Sequence, residues 1–440
     1  MLLKSSAHYT AALDKPGSRV GGSGSDRPAI EPDIALSKEN AADPRPVILV
    51  FTEFYSPGFK AGGPIRSISN LVEALGHEFR FRIVTCDRDL GDHEGFPGVV
   101  SNRWVPLGKA EVIYLPPGLR GLVQLVSLLA SVDARTVLYL NSFFNKKYSI
   151  LAVLLRRFGL VRPRAVVLAP HGEFSPGALR VKSGRKRWYF WIARSLGFYN
   201  RTIWHASTPL EAADVQRVFE VRTPPVSEPD YTGGTLFTAL DIVSSVKPPA
   251  REQLRKQVGQ LRIAFLGRCS RMKNLSGALR MLAGLEGDIS FNIHGPLEDP
   301  VYWEECQALI AQLPPNIRVT YLGGIEHTQV ASVLAAHHLL FLPTFGEGFG
   351  HVISEALSAG CPVLLSDQTP WRNLEEAGVG WDIPLEDEER FRSALRQCVA
   401  GDDEWFAAFS RRASAYAAAK ASDPATVEDN RRLFRAALTS

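Results

Sequence analysis

The stretch FLPTFGEGFGHVISEALSAGCPVL, residues 341–364, holds a complete supersecondary unit. Its apolar opening reads as a short strand ending at Thr344, the glycine-spaced segment after it as a loop, and Phe349 to Ala359 as a helix. A second short apolar run, PVLLSD, follows at once. Two continuously apolar strands joined through a helix indicate a parallel sheet buried on both faces.

The same alternation extends in both directions. RIAFLG, ISFNIHG, IRVTYLG and LLFLPT read as strands of this half, separated by helix-like stretches from Asn274 to Leu285, Tyr302 to Leu313 and Gln329 to His337. The first half carries PVILVF, FRIVTC, VIYL, TVLYL and AVVLAP in the same rhythm. The pattern predicts an α/β protein of two doubly wound, Rossmann-like domains facing a central cleft, where ligands gather at the carboxyl ends of the strands. Residues 1–44 are rich in Gly, Ser, Pro, Asp and Ala without an apolar period and predict a flexible N-terminal arm. Residues 45–221 then form the N-terminal domain, 222–250 a Pro/Gly/Ser/Thr-rich linker, 251–400 the C-terminal domain and 401–440 a set of C-terminal helices.

Composition removes several classes. The 440 residues carry 50 basic and 46 acidic side chains, and a formal net charge of +4 is too mild for a protein that wraps nucleic acid. Five cysteines without paired spacing indicate neither a zinc site nor a disulfide framework, which fits a reducing cytosol. No apolar run reaches the roughly 18 residues that span a bilayer. Gly121 to Val132 and Ile150 to Leu155 read as buried helices, and residues 1–20 lack the apolar core of a signal peptide. The expected location is cytoplasmic.

The chemistry concentrates at four places. In the opening stretch, Glu347 lies on the loop at the mouth of the helix and Glu355 in its second turn. The free N–H groups of such a helix start suit a phosphate, and two flanking carboxylates can each accept hydroxyl hydrogens. Taken singly, each glutamate also fits an ordinary helix residue. In FLGRCSRMKN, residues 265–274, Arg268 and Lys273 follow a strand at the same sheet edge, with Arg271 as a third choice. Fixed cations there can stabilise a departing diphosphate. His171 follows a first-domain strand in VVLAPHGEFSPG, and Gly62-Gly63 follows the first strand, with Pro64 suited to the next helix start. A dinucleotide fingerprint is a competing reading of Gly346, Gly348 and Gly350, with Asp367 as its acid.

In this order, Gly62-Gly63, Pro170-His171-Gly172, Gly267-Arg268…Lys273 and Glu347-x7-Glu355, the chain resembles retaining family-4 glycosyltransferases of the GT-B fold, from about Pro46 to the end of the second domain. The resemblance implies transfer of a sugar from a nucleoside-diphosphate sugar to a hydroxyl of a glycan or lipid-linked glycan. Anomeric configuration is retained, with no metal and no cofactor beyond the donor. It implies that Glu355 holds the ribose hydroxyls, Glu347 the donor-sugar hydroxyls, and Arg268 and Lys273 the diphosphate. His171 would touch the sugar near its reacting carbon, Gly62 and Gly63 would line the cleft, and Gly348, Phe349 and Gly350 would belong to the donor loop. SDQTPW, residues 366–371, is similar to bacterial members acting in surface or exopolysaccharide synthesis. Where many relatives carry a Val-Ile-Pro run and an Asn-Gly hinge turn, this chain reads TPPVSEPDYTGG. A nucleotide-sugar epimerase of the same fold and an inactive glycan-binding scaffold are the rival readings.

Two further features stand apart. Asp87-Arg88-Asp89 has the spacing of a DxD metal site. Residues 174–210 carry seven cations and no acid, interleaved with Trp188, Tyr189, Phe190 and Trp191. Residues 180–201 can therefore form a peripheral contact with the inner face of the plasma membrane, or a helix with its aromatics in the core and its cations in water.

Overall fold

The structure is a computed structural model that describes residues 43–180, 183–219, 221, 234–243 and 254–440. The expected arm therefore lies, to residue 42, outside the described residues, as do most of the linker and its TPPVSEPDYTGG segment.

The first lobe runs β1 (Val47–Phe51), α1 (Gly63–Leu75), β2 (Arg80–Cys86), β3 (Trp104–Leu107), β4 (Ala110–Leu115), α2 (Gly118–Ala130), β5 (Val137–Leu140), α3 (Leu151–Arg157), β6 (Ala165–Leu168), α4 (Pro176–Arg180), α5 (Ser183–Ser195), β7 (Thr202–Ala206), α6 (Pro209–Phe219) and β8 (Thr235–Thr238). Its sheet has the order β3-β4-β2-β1-β5-β6-β7-β8, parallel except for the β3–β4 pair. The second lobe runs β9 (Gln260–Leu266), α7 (Leu275–Leu282), β10 (Asp288–His294), α8 (Pro300–Ile310), β11 (Ile317–Gly323), α9 (His327–Ala335), β12 (Leu339–Leu342), α10 (His351–Ser358), β13 (Val363–Ser366), β14 (Gly380–Ile383) and α11 (Glu388–Ala400). Its sheet order β11-β10-β9-β12-β13-β14 is parallel throughout, the doubly wound 3-2-1-4-5-6 arrangement. Strand order reverses between β1 and β5 in one sheet and between β9 and β12 in the other, and these two switch points define the cleft.

The central strands are buried on both faces, as continuous apolar runs require. In β1, Leu49 and Phe51 enter one core with Leu138, Leu140 and Trp204, while Ile48 and Val50 enter the other with Ile65, Phe81 and Tyr139. A single core fills the second lobe around Phe265, Phe291 and Phe341.

Three expectations need correction and a fourth, on the C-terminal helices, gains detail. The segment 222–250 is not all linker, because Thr235–Thr238 is β8 and pairs with β7. A four-residue strand flanked by Gly and Thr has too little apolar character to stand out. The C-terminal helices divide between the lobes. The first, α12 (Asp403–Ala421), packs on the second lobe, with Phe409 against Trp381. The second, α13 (Pro424–Thr439), returns to the first lobe, where Phe434 meets Phe79, Phe81 and Tyr139 and Arg431 pairs with Glu78 at 2.7 Å. The apolar stretch within Gly121–Val132 is buried on one side only, since Leu122, Val123 and Val126 face outward. Finally, the basic-aromatic stretch follows neither of its two readings alone. Tyr189 and Phe190 pack on Phe143, Trp188 and Trp191 are exposed, and β7 lies inside the stretch.

Candidate functional site

The two switch points open on one cleft of about 790 Å³. It is lined by loops that follow β1, β5 and β6 from the first lobe and β9, β10, β11 and β12 from the second. All ten expected site residues, Gly62, Gly63, His171, Arg268, Lys273, Glu347, Gly348, Phe349, Gly350 and Glu355, line it.

The second-lobe wall carries charge. After β9 the chain makes one tight turn, Arg271–Lys273, and Asn274 follows at φ 56°. The Asn274 side chain donates to the Pro343 carbonyl at 2.9 Å and accepts from Gly277 N–H, so the turn is tied to the end of β12 and caps α7. That anchorage points Lys273 at the cleft, where its Nζ donates to Glu347 Oε1. Arg268 pairs with Glu298 at 3.0 Å on the rim. Arg271 instead engages Glu305 and lies over the Tyr302 ring, so it does not join Arg268 and Lys273 among the lining residues.

The glycine loop is held from behind by SDQTPW. The Gln368 carbonyl accepts from Glu347 N–H at 3.1 Å, and the Trp371 indole donates to the Phe349 carbonyl at 2.7 Å. Gly350 caps α10 in the left-handed conformation at φ 80°, which starts the helix at His351, two residues later than expected. The first turn of α10 lines the cleft, and Glu355 sits one turn further in, 3.4 Å from His327. Burial raises the Glu355 carboxyl above its ordinary value, and the neighbouring His351 and Arg66 pull it back only in part. His294, at the end of β10, is 4% exposed, and neither ring nitrogen has a hydrogen-bond partner among the described residues. Burial lowers its pKa, so the neutral ring offers one donor and one acceptor to an occupant of the cleft.

The first-lobe wall carries a hydrogen-bonded network. His171 stands at φ 49° and donates from Nε2 to Asn141 Oδ1, while Asn141 donates to Thr52 Oγ1 at 3.3 Å. Burial holds the His171 imidazole below its usual pKa despite the nearby Asp241 carboxylate. Behind it, the buried Glu211 carboxylate accepts from Gly172 N–H at 2.6 Å and from Ser207 N–H and Oγ at 2.7 Å each. Asp241 accepts from Ser67 Oγ at 2.6 Å and from His351 at 3.2 Å, joining α1, the end of β8 and α10 across the lobes. Burial alone would raise the Asp241 carboxyl, but the His351 contact, the His171 charge and the Ser67 hydroxyl bring it well below the usual range.

The lobes meet backbone to backbone. A Cβ on Gly172 would lie 3.1 Å from the Gly348 nitrogen, and one on Gly348 would lie 3.1 Å from the His171 carbonyl carbon.

Sequence reasoning did not single out Asn141, Asp241, His294, Arg66 or His351. Asn141 and His294 stand at strand ends and were open to the rule that selected His171. Asp241 lay hidden in the segment taken as linker. The competing readings fare less well. Asp89 is spent on the Phe59 and Lys60 N–H groups at 2.7 and 3.0 Å, and Asp87 on Arg88 and Ser101 at 3.0 Å each. Among the described residues, no group of three or more metal-ligating side chains is found. The dinucleotide reading required its glycines in the first βα turn, but they follow β12, the fourth strand, and Asp367 does not line the cleft.

Comparison with solved structures agrees with this architecture. Sucrose-phosphate synthase from Thermosynechococcus elongatus superposes with TM-score 0.63 at 17% identity, covering 89% of this chain and 98% of that one. Anabaena Alr3699/HepE in complex with UDP-glucose gives 0.62 at 16% identity, covering 89% and 99%. The fold is GT-B. Within it, residues 246–419 match the family model described as glycosyl transferases group 1, so the sequence match falls mainly on the GT-B lobe that carries Lys273, Glu347 and Glu355. A D-inositol 3-phosphate glycosyltransferase of Mycobacterium tuberculosis (strain ATCC 25618 / H37Rv) is 32% identical over 116 residues, 26% of this chain and 24% of the relative. The chain thus spans about a quarter of the length of that curated relative.

Proposed function

We propose that this protein is a retaining glycosyltransferase that moves a sugar from a nucleoside-diphosphate sugar to a hydroxyl acceptor without a metal ion. The observation that carries the reading is the Lys273–Glu347 ion pair at the β9/β12 switch point, with Glu355 one helical turn deeper. A diphosphate laid against the α10 start would meet Lys273 and Arg268, and its ribose would reach Glu355. A sugar attached beyond the diphosphate would extend toward Glu347 and His171. In the transfer, the bond between the anomeric carbon and the β-phosphate oxygen breaks, and its electron pair stays on that oxygen. The acceptor oxygen bonds to the same face of the carbon, and its proton passes to the departing phosphate. Lys273 and Arg268 supply the positive charge that this leaving group needs, in a site positioned before the reaction.

Support comes from the group 1 family match over residues 246–419 and from the UDP-glucose bound to the Anabaena neighbour. The acceptor class we propose is a glycan or lipid-linked glycan in bacterial surface polysaccharide synthesis, by likeness of the SDQTPW segment. The test is calorimetric titration with UDP, GDP, ADP and dTDP in EDTA, followed by a product assay with and without acceptor glycan. Selective binding of one nucleotide, with sugar transfer only when acceptor is present, is the expected result. Binding only when metal is added back would overturn metal independence. Conversion of the donor without acceptor would make the protein an epimerase.

A further inference from the structure

Among the described residues, four lysines and arginines line the cleft, Lys60 and Arg66 from the first lobe and Arg268 and Lys273 from the second. Three of them are committed. Lys60 pairs with Asp92, Arg268 with Glu298 and Lys273 with Glu347. The Arg66 guanidinium has neither an ion pair nor a hydrogen bond among the described residues. It is half-buried, and desolvation presses its pKa below the ordinary arginine value, which the Glu355 and Tyr55 charges restore only in part. An arginine keeps its proton under such pressure. A cation is therefore held in the cleft at a desolvation cost that no carboxylate in contact with it offsets.

Its position in the fold indicates what would pair with it. Arg66 lies in the first turns of α1, next to Ser67, whose Oγ stands 3.0 Å from His351 Nε2. A Cβ on Gly63 would lie 3.8 Å from His351 Cδ2. The start of α1 is thus packed on the start of α10. The charged groups that Arg66 meets across the cleft are Glu355 on α10 and His327 on α9. Burial first, and the Arg66 charge next, lower the His327 pKa to about 4, so that ring is neutral and does not compete with Arg66 for an anion. The second-lobe cations already face Glu298 and Glu347. A doubly charged diphosphate laid there meets little net positive charge unless the first lobe adds some.

We propose that Arg66 is the first lobe's cation for the diphosphate of the donor, so that a bound donor is held from both walls of the cleft. The inference rests on the nucleoside-diphosphate reading of the site and adds a residue that the second lobe does not supply. A guanidinium presents paired N–H donors that match phosphate oxygens. Its charged neighbours Glu355 and His327 stand on the second-lobe helices that bound the donor's side of the cleft, which favours a donor phosphate over an anion carried by the acceptor. Arg66 becomes the recognising charge on a wall whose Glu211 and Asp241 carboxylates serve the fold.

The experiment is calorimetric titration of the whole protein with UDP, GDP, ADP and dTDP, on wild type, Arg66→Gln and Arg66→Lys, with melting curves beside it. Arg66→Gln should weaken binding of the diphosphate that wild type selects by about 10- to 100-fold, the range for one hydrogen bond to a charged group. Arg66→Lys, which keeps the charge, should lose clearly less. Without nucleotide, Arg66→Gln should melt no lower than wild type, because it removes a desolvated charge that has no partner. At one fixed nucleotide concentration, its melting temperature should rise less than that of wild type. Unchanged affinity in Arg66→Gln overturns the proposal and leaves the donor reading standing. An equal loss in Arg66→Lys also overturns it, as does an Arg66→Gln protein that melts lower without nucleotide, which is how a structural arginine behaves. Failure of wild type to bind any of the four nucleotides overturns the donor reading, and this proposal with it.

Discussion

The two walls of the cleft follow one architectural plan and are chemically unlike. On the second-lobe wall, Lys273, Arg268, Glu347 and Glu355 are placed by loops and a helix start that turn charge toward the opening. On the first-lobe wall, the carboxylates of Glu211 and Asp241 are spent on backbone and side-chain donors within the protein. On the proposed function, one wall is arranged to recognise and the other to position. The difference teaches that internal donors, not burial alone, decide which role a carboxylate plays, because an acceptor already satisfied within the protein has little left for a ligand.

That division can be broken by four measurements. The largest effect belongs to the recognising wall: Lys273→Ala should lower turnover by about 10²–10³-fold, the scale for one preorganised charge stabiliser. Its melting temperature should stay close to wild type. Near-normal turnover would remove Lys273 from the leaving-group site.

On the positioning wall, Glu211→Ala should behave in the opposite way. It strands the Gly172 and Ser207 donors, at a cost of about 1–3 kcal/mol, which lowers the melting temperature by several degrees. Nucleotide affinity, measured by calorimetry, should be retained, since Glu211 does not line the cleft. A loss of affinity as large as that of Lys273→Ala would erase the distinction between the walls.

At the seam, Gly348→Ala adds a Cβ 3.1 Å from the His171 carbonyl carbon, so one loop must yield. Overpacking of this kind costs about 1–3 kcal/mol, which we expect to appear as reduced turnover with nucleotide binding preserved. Unchanged turnover would mean that the lobes need not approach this closely during the reaction.

The smallest effect tests the sign of a buried charge. Burial raises the Glu355 pKa above the ordinary glutamate value, so Glu355 favours folding below that value and subtracts stability as pH rises through its folded-state pKa. Glu355→Gln should therefore melt slightly higher than wild type at pH 7.5, and the difference should vanish as pH falls toward the ordinary glutamate range. The same variant should bind nucleotide more weakly, because a neutral amide cannot replace a carboxylate acceptor. A lower melting temperature at pH 7.5 would mean that His351 and Arg66 outweigh desolvation.

Much of this molecule is legible in its sequence, and what is hidden has physical reasons. The strands of the double sheet announce themselves because burial on both faces demands continuous apolar runs such as PVILVF and LLFLPT. The charged residues of the second-lobe wall lie near one another along the chain, in two short stretches. Those of the first-lobe wall come from separate segments, Ser67 and Asp241 lying 174 residues apart, and Asp241 reaches His351 only because β8, four residues long, closes the sheet. His351 itself sat inside the opening stretch and passed as an ordinary helix residue. The outward face of α2 was misjudged because periodicity reports which residues can be buried together, not what covers the other side.

The return of α13 to the first lobe has a mechanical consequence. The chain passes between the lobes twice, once after β8 and again between Ala421 and Pro424. A body joined to another at a single point can swing in any direction, whereas one joined at two points turns mainly about the line through both. Opening of the cleft is thereby confined to something close to a single rotation, like a door on two pins. Any opening along that path would part Gly172 and Gly348 and bring them back in the same register.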